Sequence, residues 1–154
     1  MKNTQYKRQG FTLIEILVVI GIIAVLASVV LVAINPARQF KLARDSQRVS
    51  NVNAILNSIN QNVSEHKGVF ICGLVALTLP STLTTVKNGA GGINLAPCLV
   101  PTYLSVLPYD PSAPGAHYNS ETDYDTGYKV FLDSDGRVTV SAEGEITQSI
   151  SVTR

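Results

Sequence analysis

Gly10-Phe11-Thr12-Leu13-Ile14-Glu15-Ile16-Leu17-Val18-Val19-Ile20 is the stretch whose reading decides the fold. A small residue closes a basic leader holding Lys2, Lys7 and Arg8, and a single carboxylate then enters an apolar run that continues to Ile34. From Phe11 to Ile34 the chain has 24 residues, with Glu15 the only charge and Thr12 and Ser28 the only other polar side chains. As a helix this run is about 36 Å long, enough to cross a hydrocarbon core of about 30 Å. A cleaved secretory signal ending at Leu31-Val32-Ala33 is one alternative, and a plain signal anchor is another. The run is longer than the roughly 7 to 15 apolar residues of a signal peptide and carries an acid near its start, which weighs against the first.

Beyond it, Asn35-Pro36 interrupts the apolar run. Pro36 removes a backbone donor and crowds the preceding turn, so a kink or local melting is expected there rather than a full stop. Phe40, Ala43, Val49, Val52, Ile55, Leu56, Ile59 and Val63 then recur at spacings near three and four, the face of an amphipathic helix. The helical stretch from Phe11 to about Asn62 would measure about 78 Å, with Gly68 a natural stop. The chain thus divides into a basic leader at 1–10, a transmembrane helix at 11–35, an amphipathic extension at 36–66 and a small domain at 67–154.

Gly10 before Phe11-Thr12-Leu13-Ile14-Glu15 and a long apolar helix resembles the N-terminus of type IV pilins and type II secretion pseudopilins. The resemblance implies that a prepilin peptidase cuts after Gly10 and methylates the new N-terminus at Phe11. It also implies that the helix at 11–35 is the assembly helix, that Glu15 meets the N-terminal amine of a neighbouring subunit during assembly, and that the domain at 67–154 is extracytoplasmic. Further along, Leu107-Pro108-Tyr109-Asp110-Pro111 looks like the Leu-Pro-x-Asp-Pro region of major pseudopilins, a looser match. The fold expected is α+β: a long N-terminal helix, half transmembrane and half amphipathic, packed on a small C-terminal antiparallel β-sheet, as in pilins.

A carboxylate at the bilayer centre costs on the order of 2.5 to 3.5 kcal/mol on insertion scales. Glu15 is only four residues into the run, so a tolerated interfacial acid is the ordinary reading. Against it, no side chain of the same helix is expected to pair with it, whereas a cut after Gly10 would create an amine as its missing partner. Arg38, Lys41, Arg44 or Asp45, and Arg48 fall near one helical stripe, suited either to lipid headgroups, to acidic surfaces of adjacent subunits, or simply to solvent. The leader's charges favour a cytoplasmic N-terminus, the basic residues after the span oppose that, and the resemblance together with the two cysteines, Cys72 and Cys98, which suit an oxidising compartment, decides for leader inside and domain outside. The destination is then the cytoplasmic membrane, followed by a periplasmic or extracellular filament.

Cys72 and Cys98 are the only cysteines and are disulfide candidates; a zinc site would need more ligands than their surroundings offer. Tyr128 to Leu132 and Val138 to Ala142 alternate around the turn Asp133-Ser134-Asp135-Gly136, which predicts a hairpin. Ile146, Gln148, Ile150 and Val152 predict a third strand. Gly73 to Leu107 is read as a disulfide-bounded connection, and Pro108 to Gly127, dense in turn residues, as a surface loop.

No resident cofactor or metal is expected, although Asp123, Asp125, Asp133 and Asp135 invite calcium as a minority reading, oxygen ligands being what that ion takes. Neither a phosphate-binding Gly-rich loop nor a nucleophile elbow nor a zinc-protease helix motif occurs, so an enzyme is not expected. From Val63 onward five basic residues face nine acids, a net −4, and no direct nucleic-acid footprint is expected. The function read is a structural filament subunit of a type IV pilus or secretion pseudopilus. Its partners would be the prepilin peptidase, copies of itself and related pilins, an inner-membrane assembly platform and the bilayer. A membrane-anchored binding module that does not polymerise is the rival.

Overall fold

A computed structural model describes residues 10–154. The leader's Lys2, Lys7 and Arg8 lie outside the described residues. Contacts divide the chain into two compact units, one ending at Gln39 and the other running from Phe40 to Arg154.

In the first unit the apolar run forms α1, Leu13–Ile34, in which no residue is buried. Its N-cap is Thr12, in extended backbone, and the helix closes at Asn35, whose φ of 47° is left-handed. Asn suits that region better than other side chains do, because its short amide bonds locally. Pro36 is the first residue of α2, Pro36–Glu65, where its missing N–H and fixed φ carry no penalty. The expected kink at Pro36 is therefore a cap between two helices, with Asn35 the residue that breaks the hydrogen-bonding pattern.

The second unit is built on the rest of α2. This helix ends with Lys67 and Gly68 at φ of 56° and 92°, and the Gly68 N–H returns 2.8 Å to the Val63 carbonyl, closing the exposed end as a glycine stop should. Val52, Ile55, Leu56 and Ile59 are wholly buried in a core shared with Val86, Leu95, Leu99, Leu107, Tyr128, Val130 and Val140.

Eight strands and one short helix follow: β1 Ile71–Cys72, β2 Val75–Ala76, β3 Thr84–Lys87, β4 Gly92–Ile93, α3 Ala96–Leu99, β5 His117–Ser120, β6 Asp123–Leu132, β7 Val138–Ala142 and β8 Ile150–Thr153. The main sheet runs β4-β3-β6-β7-β8, with β5 paired to the first part of β6. All its pairs are antiparallel except β3 with β4. The predicted hairpin is present, with Val130 opposite Val140 and Leu132 opposite Val138. The α+β, pilin-like class read from the sequence is the class observed.

The connection Gly73 to Leu107, whose structure the sequence left open, contributes two strands of the main sheet and α3 to the core. Two expectations need correction. The expected surface loop at 108–127 is partly strand, since β5 pairs with β6 at Tyr118 and Tyr124, and Asp110 within it is buried. The third strand begins at Ile150, not Ile146, because the N–H groups of residues 145 to 147 are drawn away to a side chain of α2.

Cys72 and Cys98 are bridged across 26 residues, tying β1 to α3. Closing a loop of that size restricts the unfolded chain by about 3.5 kcal/mol in the chain-entropy model. Reduction, or the pair Cys72→Ser and Cys98→Ser, is expected to lower stability by roughly that amount, read as a fall in the urea midpoint of detergent-solubilised protein. An unchanged midpoint would show that the bridge does not constrain the unfolded chain.

Candidate functional site

At the start of α1, Thr12 and Glu15 form a reciprocal cap. The Glu15 N–H donates to Thr12 Oγ1 at 3.3 Å, while the Thr12 N–H and hydroxyl both donate to Glu15 Oε2, at 2.8 and 2.7 Å. Threonine at the N-cap and glutamate three residues later is the pairing that satisfies two of the free donors of a helix start. The expectation that Glu15 lacks any partner in its own helix is thus corrected: Thr12 holds it. The carboxylate is turned toward the N-terminal end of the helix, where the aligned peptide dipoles also favour negative charge. Around it Phe11, Ile14, Val18 and Val19 line a shallow apolar recess, and every large apolar side chain of α1 is more than half exposed. Such a surface has no stable place in water.

Residues 5–31 match the family model described as the prokaryotic N-terminal methylation motif. The chain carries the prepilin-type segment of type IV pilins and pseudopilins. Gly10, Phe11, Thr12 and Glu15 all lie inside the matched motif, as does most of α1. The motif and the apolar helix fit anchoring in a membrane. No curated protein and no solved structure matches the chain.

A second constellation lies in the unit from Phe40 to Arg154. The predicted basic stripe on α2 does not face solvent as one surface: Asp45 and Arg48 are buried, at 5% and 2% exposure, whereas Phe40 and Val49 of the predicted apolar face are exposed. Arg48 donates from Nε and Nη2 to the two oxygens of Asp110, at 2.7 and 2.9 Å. Its Nη1 reaches Asp45 at 2.8 Å and Glu145 at 3.2 Å, and Nη2 also reaches Ser112 Oγ at 2.6 Å. All five guanidinium donors are accounted for. Asp45 also accepts the backbone N–H groups of Glu145, Ile146 and Thr147 at 2.8 to 3.0 Å. Glu145 is shared with Arg44 through a second two-point contact.

Two glycines make room for this knot. Gly127 has a φ of 72°, which favours glycine, and a Cβ there would press within 3.2 Å of Asp110 Cβ, where the 110–113 turn sits against β6 and the Asp110 N–H bonds the Thr126 carbonyl. A side chain on Gly144 would collide with the Thr147 carbonyl, opening the arch that presents three N–H groups to Asp45.

The charges of the knot hold one another in their ionised forms. Burial alone would push the Asp45 and Asp110 carboxyls up, but backbone donors and the Arg48 guanidinium outweigh it and bring both below the usual carboxylate range. Glu145 is pulled down to about 2, chiefly by Arg44. Beside the knot, Asn51 donates to the Tyr109 carbonyl and to the Tyr128 hydroxyl, and burial raises the Tyr128 phenol to about 12.

The Leu107 to Pro111 segment is therefore fastened to α2 through Asp110, a role that its resemblance to the pseudopilin region did not supply. Sequence reasoning missed Asp45, Asp110 and Glu145 as a group; a lone acid in a basic stripe and a glycine-flanked glutamate were the available signals.

The four candidate calcium aspartates do not assemble. Asp133 accepts from the Asp135 and Arg137 N–H groups and pairs with the Arg137 side chain, while Asp123 pairs with His117 and Asn119. Among the described residues no three His, Cys, Asp or Glu side chains are grouped as metal ligands would be.

Proposed function

We propose that this chain is a structural subunit of a type IV pilus-like filament or a type II secretion pseudopilus. Prepilin peptidase cuts it after Gly10 and methylates Phe11; α1 holds it in the cytoplasmic membrane with the domain outside; assembly then packs α1 against the helices of other subunits. The observation that carries this reading is the coincidence of the methylation motif with a 22-residue apolar helix, none of whose side chains is buried within its own chain. A helix hydrophobic all round needs an apolar surrounding, which lipid supplies before assembly and neighbouring helices supply after it.

In this reading Glu15 is the assembly group and the ionic knot is the frame that keeps the outer domain rigid on α2. The role is structural rather than catalytic. Peptidase, sister subunits and an inner-membrane platform are the partners that such processing and polymerisation require.

N-terminal mass spectrometry tests it. In cells with an active prepilin peptidase the chain is expected to begin at N-methylated Phe11, and an intact leader under those conditions would overturn the reading. Processed protein that never enters filaments would instead favour a membrane-tethered binding module.

A further inference from the structure

Four basic residues follow the apolar run, and the structure divides them into two pairs. Arg44 and Arg48 end on carboxylates of their own chain. Arg38 and Lys41 are exposed, and among the described residues neither has an acid within ion-pair distance. They stand three residues apart on α2, which places them on neighbouring positions of one helix face. Asp45, the nearest acid along the helix, is buried and fully engaged.

Chain reach limits where these two cations can be. Arg38 follows the last residue of α1 by four residues, no more than about 14 Å even if fully extended. For Lys41 the helical rise of α2 keeps the distance within about 16 Å. The polar interface adds roughly 5 to 8 Å on each side of the hydrocarbon, and Lys and Arg stems lie readily along apolar surface while their charged ends seek polar groups. Both cations are thus confined to the neighbourhood of the headgroups at the end of any span made by α1.

We propose that Arg38 and Lys41 bind the phosphodiester groups of anionic phospholipids at the membrane surface where α1 leaves the hydrocarbon. The contact rests on the reading of α1 as a membrane span and adds to it a lipid preference. Arg38 and Lys41 hold the outer end of the span against the headgroup layer, and the contact must be broken when a subunit leaves the membrane.

The chain contains no tryptophan, so one introduced indole reports on one place. The full chain carrying Phe40→Trp is reconstituted in phosphatidylcholine vesicles with a minor fraction of phosphatidylglycerol. The same headgroup quencher is placed on either lipid at equal density. Quenching by labelled phosphatidylglycerol is expected to exceed that by labelled phosphatidylcholine about fivefold for each basic residue at low salt. It should approach parity at high salt or with Arg38→Gln and Lys41→Gln together. Equal quenching by the two labelled lipids in the chain retaining both cations would overturn the proposal. So would quenching that ignores phosphatidylglycerol and changes with protein-to-lipid ratio, the mark of an acidic surface on a second copy. A separate chain carrying Leu17→Trp, with and without the two glutamines, is tested against acyl-chain quenchers. No quenching there would overturn the span itself and the lipid contact with it, whereas quenching there beside a negative Phe40→Trp result removes the lipid contact alone.

Discussion

Replacing Arg48 with methionine is expected to destabilise the Phe40 to Arg154 unit by about 3 to 5 kcal/mol, the usual cost of removing one partner from a buried ion pair. Asp45 and Asp110, with side chains 7% and 3% exposed, would be left without their shared cation. At roughly 4 °C per kcal/mol for a domain of this size, the melting temperature should fall by about 12 to 20 °C. Arg44→Met is the comparison, because its bridge to Glu145 is partly exposed and such pairs are commonly worth at most about 1 kcal/mol. Equal losses in the two variants would show that the knot contributes only as surface charge.

The pH dependence gives the same prediction a second readout. Asp45, Asp110 and Glu145 all have folded-state values below their ordinary ones. Their stabilisation is fully present above the unfolded values near 4 and is lost as pH falls through the folded values, which for Glu145 is about 2. The native protein should therefore weaken steadily between about pH 5 and pH 2. Without Arg48 the burial of Asp110 is opposed only by the Ser112 and Ala113 N–H groups, so its carboxyl lies higher than in the native protein and acid costs the variant less. The gap in denaturant midpoint between native protein and Arg48→Met should narrow as pH drops from 7 to 3. A constant gap would mean that lost packing of the arginine stem, rather than its charge, accounts for the effect.

The knot also shows why some of this structure was legible in the sequence and some was not. The apolar run to Ile34 and the alternation on either side of Asp133 to Gly136 are local patterns, and local patterns gave α1 and the β6–β7 hairpin. Strands β2 and β4 have two residues each, too short for any period to register. On α2 the apolar spacing holds from Val52 to Ile59 but misleads nearer Phe40. There, burial is decided by partners 62 to 101 residues away, namely Asp110 for Arg48 and Glu145 for Arg44. The same long-range pairing explains the false strand at Ile146: its alternation was real, but Asp45 takes the N–H groups that a strand would have used. For the N-terminal site the motif is plain in Gly10 to Glu15, and the cap joining Thr12 to Glu15 is carried by the three-residue spacing of a threonine and a glutamate, a signal separate from the charge of Glu15.

That cap sharpens what Glu15 should do. A Glu15→Leu subunit is expected to insert normally in the membrane and to enter filaments about 10- to 100-fold less than the native subunit, the range equivalent to losing one hydrogen-bonded charge. The reciprocal bonds with Thr12 supply a competing explanation, because helix caps alone are worth about 1 kcal/mol. Glu15→Gln separates the two. Its side chain can still accept the Thr12 donors and close the helix start, but it carries no charge for the amine that cleavage would create on a neighbouring Phe11. If the charge acts between subunits, Glu15→Gln fails to assemble as Glu15→Leu does, and Thr12→Ala assembles at a modestly reduced level. If Glu15 serves only its own helix, Glu15→Gln assembles nearly normally and Thr12→Ala is the more damaging change. Co-assembly with native subunits, scored by quantitative immunoblotting of sheared filaments against membrane-resident protein, distinguishes these orders.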